Sequence, residues 1–289
     1  MILVTGASGK TGKSIVKKLA ENGIPVRAMV RTSTQMEEMR KLGAKEAGIA
    51  DMKDGISVNS IFKGVEKVYH ICPNMSPDEE SIGDLMIRAA QENGLSQFVY
   101  HSVLHPQVES MPHHWKKMHV EEKLMKSKLV FTILQPAAYM QNILGYWDKM
   151  MQGGVYEIPY STRSQSSMID LKDLAEVVFK VMTEPDHYYA TYELCGCEQL
   201  SADQIAEIVS QKSGKKVVAR DLDRNTWEIE MRSKNMAEYA RETLLKMFQY
   251  YEQFDFIGNC NQLTWLLGRS PNTFGNFIEE FILENKIWE

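Results

Sequence analysis

Cysteine is scarce in this chain: four residues in 289, Cys72, Cys195, Cys197 and Cys260. So few thiols suit a reducing cytosol, where they are expected to pack as small apolar groups. Cys195-Gly196-Cys197 has C-x-C spacing, not the C-x-x-C of zinc or thioredoxin-like sites, and no metal site is expected. Long apolar runs are missing too. Leu129 to Leu134 is far too short to span a bilayer, so no membrane association is expected. No block of Lys or Arg stands out and the net charge is −5, which suggests no nucleic-acid surface and favours solubility. Repeats, low-complexity tracts and an obvious linker are also absent. The chain opens with a strand running into a glycine-rich loop, unlike a signal peptide, so a soluble, cytoplasmic protein is expected.

What is present begins at the first residues. Ile2-Leu3-Val4 is a short apolar run, followed at once by Thr5-Gly6-Ala7-Ser8-Gly9-Lys10-Thr11-Gly12. An amphipathic stretch then places Ile15, Val16, Leu19 and Ala20 on one helical face, with Gly23 as its stop. Strand, glycine-rich turn and helix in this order make a phosphate cradle. Glycines let the backbone turn tightly and approach a pyrophosphate, while the N–H groups and positive dipole end of the helix face the anion. The spacing departs from G-x-G-x-x-G; position and context carry the reading of a dinucleotide site against that of a plain turn.

Strand-like and helix-like segments alternate through the first half. Pro25–Val30, Ala47–Ile49, Val65–Ile71, Gln97–Val103 and Leu129–Leu134 read as strands. Thr34–Leu42, Ile56–Phe62, Asp78–Asn93 and His114–Lys126 read as helices, with Gly43, Gly64 and Gly94 at stops. This alternation implies parallel strands with right-handed crossovers, hence an α/β, doubly wound parallel sheet of the Rossmann type. The second half is less regular. Leu171–Met182 reads as a helix, Thr191–Leu194 as a strand, and Ser201-Ala202-Asp203-Gln204 as a capping box. The expected division is a dinucleotide-binding domain at 1–150 and a smaller C-terminal substrate region at 151–289, of which 171–195 packs back on the first sheet. Methionine is frequent and reads as irregular core filling.

The end of the second strand selects the cofactor in such folds. An acid there would bond the ribose hydroxyls of NAD; here Arg31 follows Ala28-Met29-Val30. A guanidinium pairs bidentately with a 2′-phosphate, so NADP(H) is expected in preference to NAD(H). Lys10 adds a positive group near the phosphates, and Asp51-Met52 borders the adenine edge.

These segments resemble the NmrA-like family of atypical short-chain dehydrogenase/reductase proteins. The resemblance is carried by Val4 to Gly12, Val30-Arg31, Ala50-Asp51, Gly64 to Val68 and Phe98 to Ser102. It continues through Lys117-Met118-His119-Val120-Glu121, Thr132 to Pro136 with Tyr139 and Asn142, Ile169 to Ala175, and Leu267 to Pro271. It implies a Rossmann-type domain with a smaller C-terminal region walling a substrate cleft. The cofactor-binding set is then Gly6, Ser8, Gly9, Lys10, Thr11, Gly12, Arg31, Asp51, Met52, Ile71 and Pro73, with Lys117 at the nicotinamide ribose.

One departure from the wider superfamily is plain. Short-chain reductases use Tyr-x-x-x-Lys, in which the lysine lowers the tyrosine pKa. Lys117 takes the lysine place, and His113 stands where the tyrosine would be. NmrA-like proteins commonly lack that tyrosine. His113 and Lys117 share a helix face, yet a histidine at a helix start is expected to be a solvated polar residue before it is an acid or base. Ser102 is expected at the cleft, holding substrate or water, and Tyr139 and Asn142 together on one helix near the nicotinamide. Lys117, His113, Tyr139, Asn142 and Ser102 are thus the catalytic candidates. Tyr139, Tyr146-Trp147 and the Met-rich C-terminal helices are candidate pocket walls.

The leading functional expectation is an NADPH-dependent reductase of a quinone or other conjugated or aromatic carbonyl. An NADP(H) sensor with a protein partner comes second. A nucleoside-diphosphate-sugar epimerase comes third, opposed by both His113 and Arg31. A small-molecule substrate is expected, a homodimer is compatible with the sequence, and the substrate's identity is not readable.

Overall fold

The computed structural model describes residues 1–285. In chain order the elements begin with β1 (Ile2–Val4), α1 (Lys10–Glu21), β2 (Val26–Val30), α2 (Ser33–Lys41), β3 (Glu46–Ile49) and α3 (Gly55–Phe62). Then come β4 (Lys67–His70), α4 (Glu79–Glu92), β5 (Gln97–His101), α5 (Pro112–Lys126) and β6 (Phe131–Pro136). After β7 (Ala138–Tyr139) and a 3-10 helix (Met140–Tyr146) follow α6 (Trp147–Gly153), β8 (Val155–Ile158), β9 (Gln165–Ile169) and α7 (Leu171–Thr183). The chain continues through β10 (Ala190–Leu194), β11 (Gln199–Ser201), α8 (Ala202–Ser213) and β12 (Val218–Asp221). It closes with α9 (Arg224–Ser233), α10 (Glu238–Phe254), α11 (Asn261–Leu267) and α12 (Phe274–Glu284).

The chain divides into two compact units. The first comprises 1–109, 113–136 and 174–192, and the second 110–112, 137–173 and 193–289. Residues 137–150, grouped by the sequence with the dinucleotide domain, therefore fall in the second unit. The seven-stranded sheet has the order β10-β6-β5-β4-β1-β2-β3. From β3 to β6 all neighbours run parallel, with Val4 level with Ala28 of β2 and Tyr69 of β4. Apolar strands face apolar helix stripes. Leu3, Val68, Phe98 and Ile133 share a core with Val58 and Phe62 of α3, Met86 of α4, and Val120 and Leu124 of α5. Helix α1 turns Ile15, Val16 and Leu19 fully inward. The strand order reverses at β1, so a crevice opens between the C-terminal ends of β1 and β4, the usual ligand position in open α/β sheets.

The second unit carries a three-stranded sheet, β11-β9-β7, and the parallel pair β12-β8. The predicted capping box is formed: the Ser201 hydroxyl accepts from Gln204 N–H, and the Gln204 amide oxygen accepts from Ser201 N–H. Two acids organise this unit. Asp170, fully buried, accepts from Gln141 Nε2 at 2.7 Å and Asn272 Nδ2 at 2.8 Å. Asp173 accepts from Arg269 at 2.8 Å and from the Asn272 N–H at 2.7 Å. Asp170 and Asp173 thus tie Gln141, Arg269 and Asn272 together. Trp147 is buried in this core, 5.0 Å from the Phe281 ring.

One expectation about the cysteines is corrected. Cys72 and Cys195 are buried thiols, but Cys197 and Cys260 are joined by a disulfide across 63 residues. The C-x-C pattern gave no sign of it, because the partner comes from the segment before α11. No helix among the described residues is long and apolar enough to cross a membrane.

Candidate functional site

The glycine loop bends because Gly6 sits at φ +59°, a conformation that costs a residue with a side chain. Gly12, in the first turn of α1, lies directly over this bend. A Cβ there would stand 2.3 Å from Gly6 O and 2.6 Å from Ala7 Cα. Gly9 is the N-cap of α1, and no side chain caps that helix end, nor is there an acid in its first turn. By contrast, Thr32 caps α2 and Asp54 caps α3 through their side chains. A helix start with its positive end left uncapped, beside a glycine-rich loop, has the polarity and the close backbone approach that suit an anion.

Thr5 ties this loop to the end of β4. Its backbone N–H donates to Tyr69 O at 3.1 Å, and its hydroxyl accepts from Ile71 N–H at 2.9 Å and lies 2.9 Å from His70 Nδ1. A Cβ on Gly6 would meet Ile71 O at 3.0 Å. Gly6, Gly9, Gly12 and Ile71 are therefore brought together at the crevice, with Ser8, Lys10 and Thr11 in the same turn and Pro73 two residues beyond Ile71. Arg31 is exposed at the end of β2, its N–H held by Gln35 Oε1 at 2.9 Å. Among the described residues its guanidinium is engaged by no acid. Asp51 follows β3 and its carboxylate accepts from Lys53 N–H at 2.9 Å; Met52 packs partly against the core.

At the ends of β4 and β5 lies a buried polar cluster. Lys117 Nζ, on α5, donates to Glu79 Oε1 at 2.9 Å and to His101 O at 3.2 Å. It stands 5.3 Å from the centre of the Tyr100 ring. The Tyr100 hydroxyl donates to the same Glu79 oxygen at 2.8 Å. Despite its burial, Glu79 is held below the usual carboxylate range by the Lys117 charge and by these two hydrogen bonds. Tyr100 is pushed well up by burial and by Glu79, so its phenol stays protonated and donates to that carboxylate. Glu79 and Tyr100 were missed by the sequence reading. Asp78-Glu79-Glu80 reads as ordinary acids at a helix start, and nothing local marks the middle one as buried.

Two candidates are corrected. Ser102 does not open to a cleft: it is 2% exposed, and its hydroxyl donates to Glu121 Oε1. Gln135 Nε2 reaches both oxygens of the same carboxylate, at 2.9 and 3.0 Å. Burial raises Glu121, against the pull of these hydrogen bonds. Nor is His113 a solvated helix-start residue. Its Nδ1 is buried with no hydrogen-bond partner, and its ring meets that of His114 edge-on at 4.3 Å. Burial, then the neighbouring His114 and Lys117, push His113 down to about 2, so it is neutral.

Tyr139 and Asn142 lie in the second unit and not on one α-helix. Tyr139 is drawn into β7 by pairing with Ile169, and Asn142 is exposed on the 3-10 helix that follows. Pairing with β9 decides this, and the spacing of the two residues does not reveal it.

The buried histidines give a pH prediction. Burial depresses His70 and His114 to about 4 and His101 to about 3, from an ordinary 6.5. With His113 they stay neutral in the folded chain while the unfolded chain takes up protons. Their contribution to stability is therefore complete above about pH 6.5 and is lost as the pH falls toward about 4. Urea unfolding between these limits is expected to show a midpoint that drops with acidity. A midpoint independent of pH would mean that these rings take up protons equally in the folded and the unfolded chain.

Comparison with known proteins adds to this geometry. The model of the NmrA-like family matches residues 1–281. An NAD(P)H azoreductase of Xenophilus azovorans is 25% identical over 279 residues, covering 96% of each chain. Quinone oxidoreductase 2 of Escherichia coli is 22% identical over 287 residues, covering 99% of this chain and all of its relative. The crystal structure of an NADPH-dependent quinone oxidoreductase from Escherichia coli, complexed with NADPH, superposes with a TM-score of 0.85 at 22% identity. It covers 98% of this chain and 100% of its own, and shows the shared fold.

Proposed function

The chain belongs to the NmrA-like family, and from that premise we propose that it is an NADPH-dependent reductase of quinones, azo compounds or related conjugated aromatic acceptors. The observation that carries this reading is the side-chain-free cradle of Gly6, Gly9 and Gly12 at an uncapped helix start, with Arg31 exposed at the end of the neighbouring strand. The full-length azoreductase and quinone oxidoreductase relatives support the acceptor class.

In this reading the loop N–H groups and the start of α1 hold the pyrophosphate, and Arg31 takes the 2′-phosphate, which gives NADP(H) preference over NAD(H). Asp51 and Met52 border the adenine. Lys117 donates to the nicotinamide ribose. Bound NADPH would supply a hydride. No residue need act as a strong acid, because a quinone or azo group is already electrophilic and its reduced product takes a proton from water. Neutral His113 fits a hydrogen-bonding role better than proton donation. A cytoplasmic location belongs to the same proposal, and the Cys197–Cys260 bond stands against it.

The test is NADPH consumption by the purified protein across a panel of quinones, azo dyes and enals. Turnover is expected with at least one quinone or azo dye, and none with any acceptor would refute the reading. Lys117→Ala is expected to lower kcat about 10- to 100-fold, the worth of one or two hydrogen bonds to a charged donor, with a smaller change in NADPH affinity. Unchanged turnover would remove Lys117 from the site.

A further inference from the structure

We propose that Glu79 is the positioning residue of this site, fixing the Lys117 ammonium against the His101 carbonyl. The inference rests on the reductase reading for its catalytic consequence, though not for the pairing itself.

Three observations carry it. Glu79 is 4% exposed, in the first turn of a helix where acids ordinarily face water. Its ammonium and phenol donors come from distant elements: Lys117 from α5 and Tyr100 from β5. The pair also sits at the carboxyl ends of the strands, where open α/β sheets take their ligands. A buried ion pair adds little net stability over apolar packing of the same volume, so stability alone does not account for it. Its effect is geometric. The lysine stem is long and flexible, and an ammonium with three rotatable donors points nowhere by itself. One donor fixed on Glu79 and another on His101 O leave it a third in a defined direction.

Lys117 is half-buried and faces the imidazoles of His101, His113 and His114, all neutral, and on its own helix the carboxyl of Glu121. Glu79 faces His70 and the hydrogen-bonded Cys72 thiol besides Lys117 and Tyr100, and Asp78 precedes it in the chain. His70 is neutral, and burial with Glu79 nearby pushes the Cys72 thiol up, so neither supplies a countercharge. Among the described residues, Glu79 is the carboxylate in direct contact with Lys117.

The test compares wild type with Glu79→Gln and Glu79→Asp. Glutamine keeps the shape and accepts from Tyr100 but carries no charge. Competitive acylation of lysines in the protein without nucleotide, read by peptide mass spectrometry, is the first measurement. In Glu79→Gln the ammonium loses its countercharge and the neutral amine is favoured, so Lys117 is expected to react several-fold faster near neutral pH. The second is turnover of NADPH with 1,4-naphthoquinone. Glu79→Gln is expected to lower kcat about 10-fold with little change in NADPH affinity by fluorescence titration, and to move the alkaline limb of the kcat profile to lower pH. Glu79→Asp is expected to restore part of both. Unchanged Lys117 reactivity in a folded Glu79→Gln protein overturns the pairing. Faster labelling with an unmoved kcat and pH profile overturns the catalytic role. Loss of kcat without a shifted profile or rescue by aspartate marks a merely structural acid and also overturns it. If wild type consumes no NADPH, the reductase reading falls and takes the catalytic role with it, while the labelling result still decides the pairing.

Discussion

Gly12→Ala is expected to weaken NADPH binding about 100-fold or abolish it. The added methyl would stand 2.3 Å from Gly6 O and 2.6 Å from Ala7 Cα. Both neighbours are backbone, so no side chain can swing aside, and the loop must move. Overpacking of this kind costs about 1–3 kcal/mol even where neighbours adjust, and about 1.4 kcal/mol is tenfold in affinity. The loop that moves is the one whose N–H groups are to meet the phosphates, so the displacement falls on binding. Gly9→Ala is the control. A Cβ there touches only Gly6 O, at an ordinary 3.4 Å. The loop keeps its shape in that variant, and any loss reports crowding of the ligand. Calorimetric titration of both proteins, with circular dichroism to confirm folding, separates the two effects. Wild-type affinity in a folded Gly12→Ala protein would show that the cradle does not carry the nucleotide.

Arg31→Ala is expected to cost about 10- to 100-fold in NADPH affinity and to leave NADH nearly unchanged. One charge-assisted pairing is worth about 1.5–3 kcal/mol. Arg31 is exposed, and its backbone N–H is already anchored by Gln35. Truncating the side chain therefore removes the guanidinium without unsettling the strand end. Equal losses for both nucleotides would remove the 2′-phosphate argument, and binding would then rest on the glycine cradle alone. Thermal shift with each nucleotide at equal concentration offers an independent reading, since a ligand that binds the folded chain stabilises it more the lower its Kd.

Much of the first unit was legible before folding. The helix at 34–42 forms over Ser33–Lys41, that at 56–62 over Gly55–Phe62, and that at 78–93 over Glu79–Glu92. Even the weak strand at 47–49 forms, as β3 over Glu46–Ile49. Periodicity and glycine stops are local, so local reading recovers them. The second unit was less so. Strands β8 and β9 went unseen because Val155–Ile158 and Gln165–Ile169 lack clean alternation and gain strand form from β12, β7 and β11. The capping box at Ser201 was legible for the same reason as the helices: its two partners are three residues apart.

At the site the line falls between position and environment. Lys117, His113 and Ser102 could each be found by motif, yet what each faces could not. Lys117 meets an acid 38 residues away, and Ser102 an acid 19 residues away. The sequence by itself determined the glycine turn, the strand–helix alternation and the arginine after the second strand, because each is set by neighbours along the chain. Only the tertiary structure decided the burial of Glu79 and of the His113 Nδ1, the inward turn of Ser102 and the Cys197–Cys260 bond. Those depend on which distant segments the packed core brings side by side, and on how completely it removes water from between them.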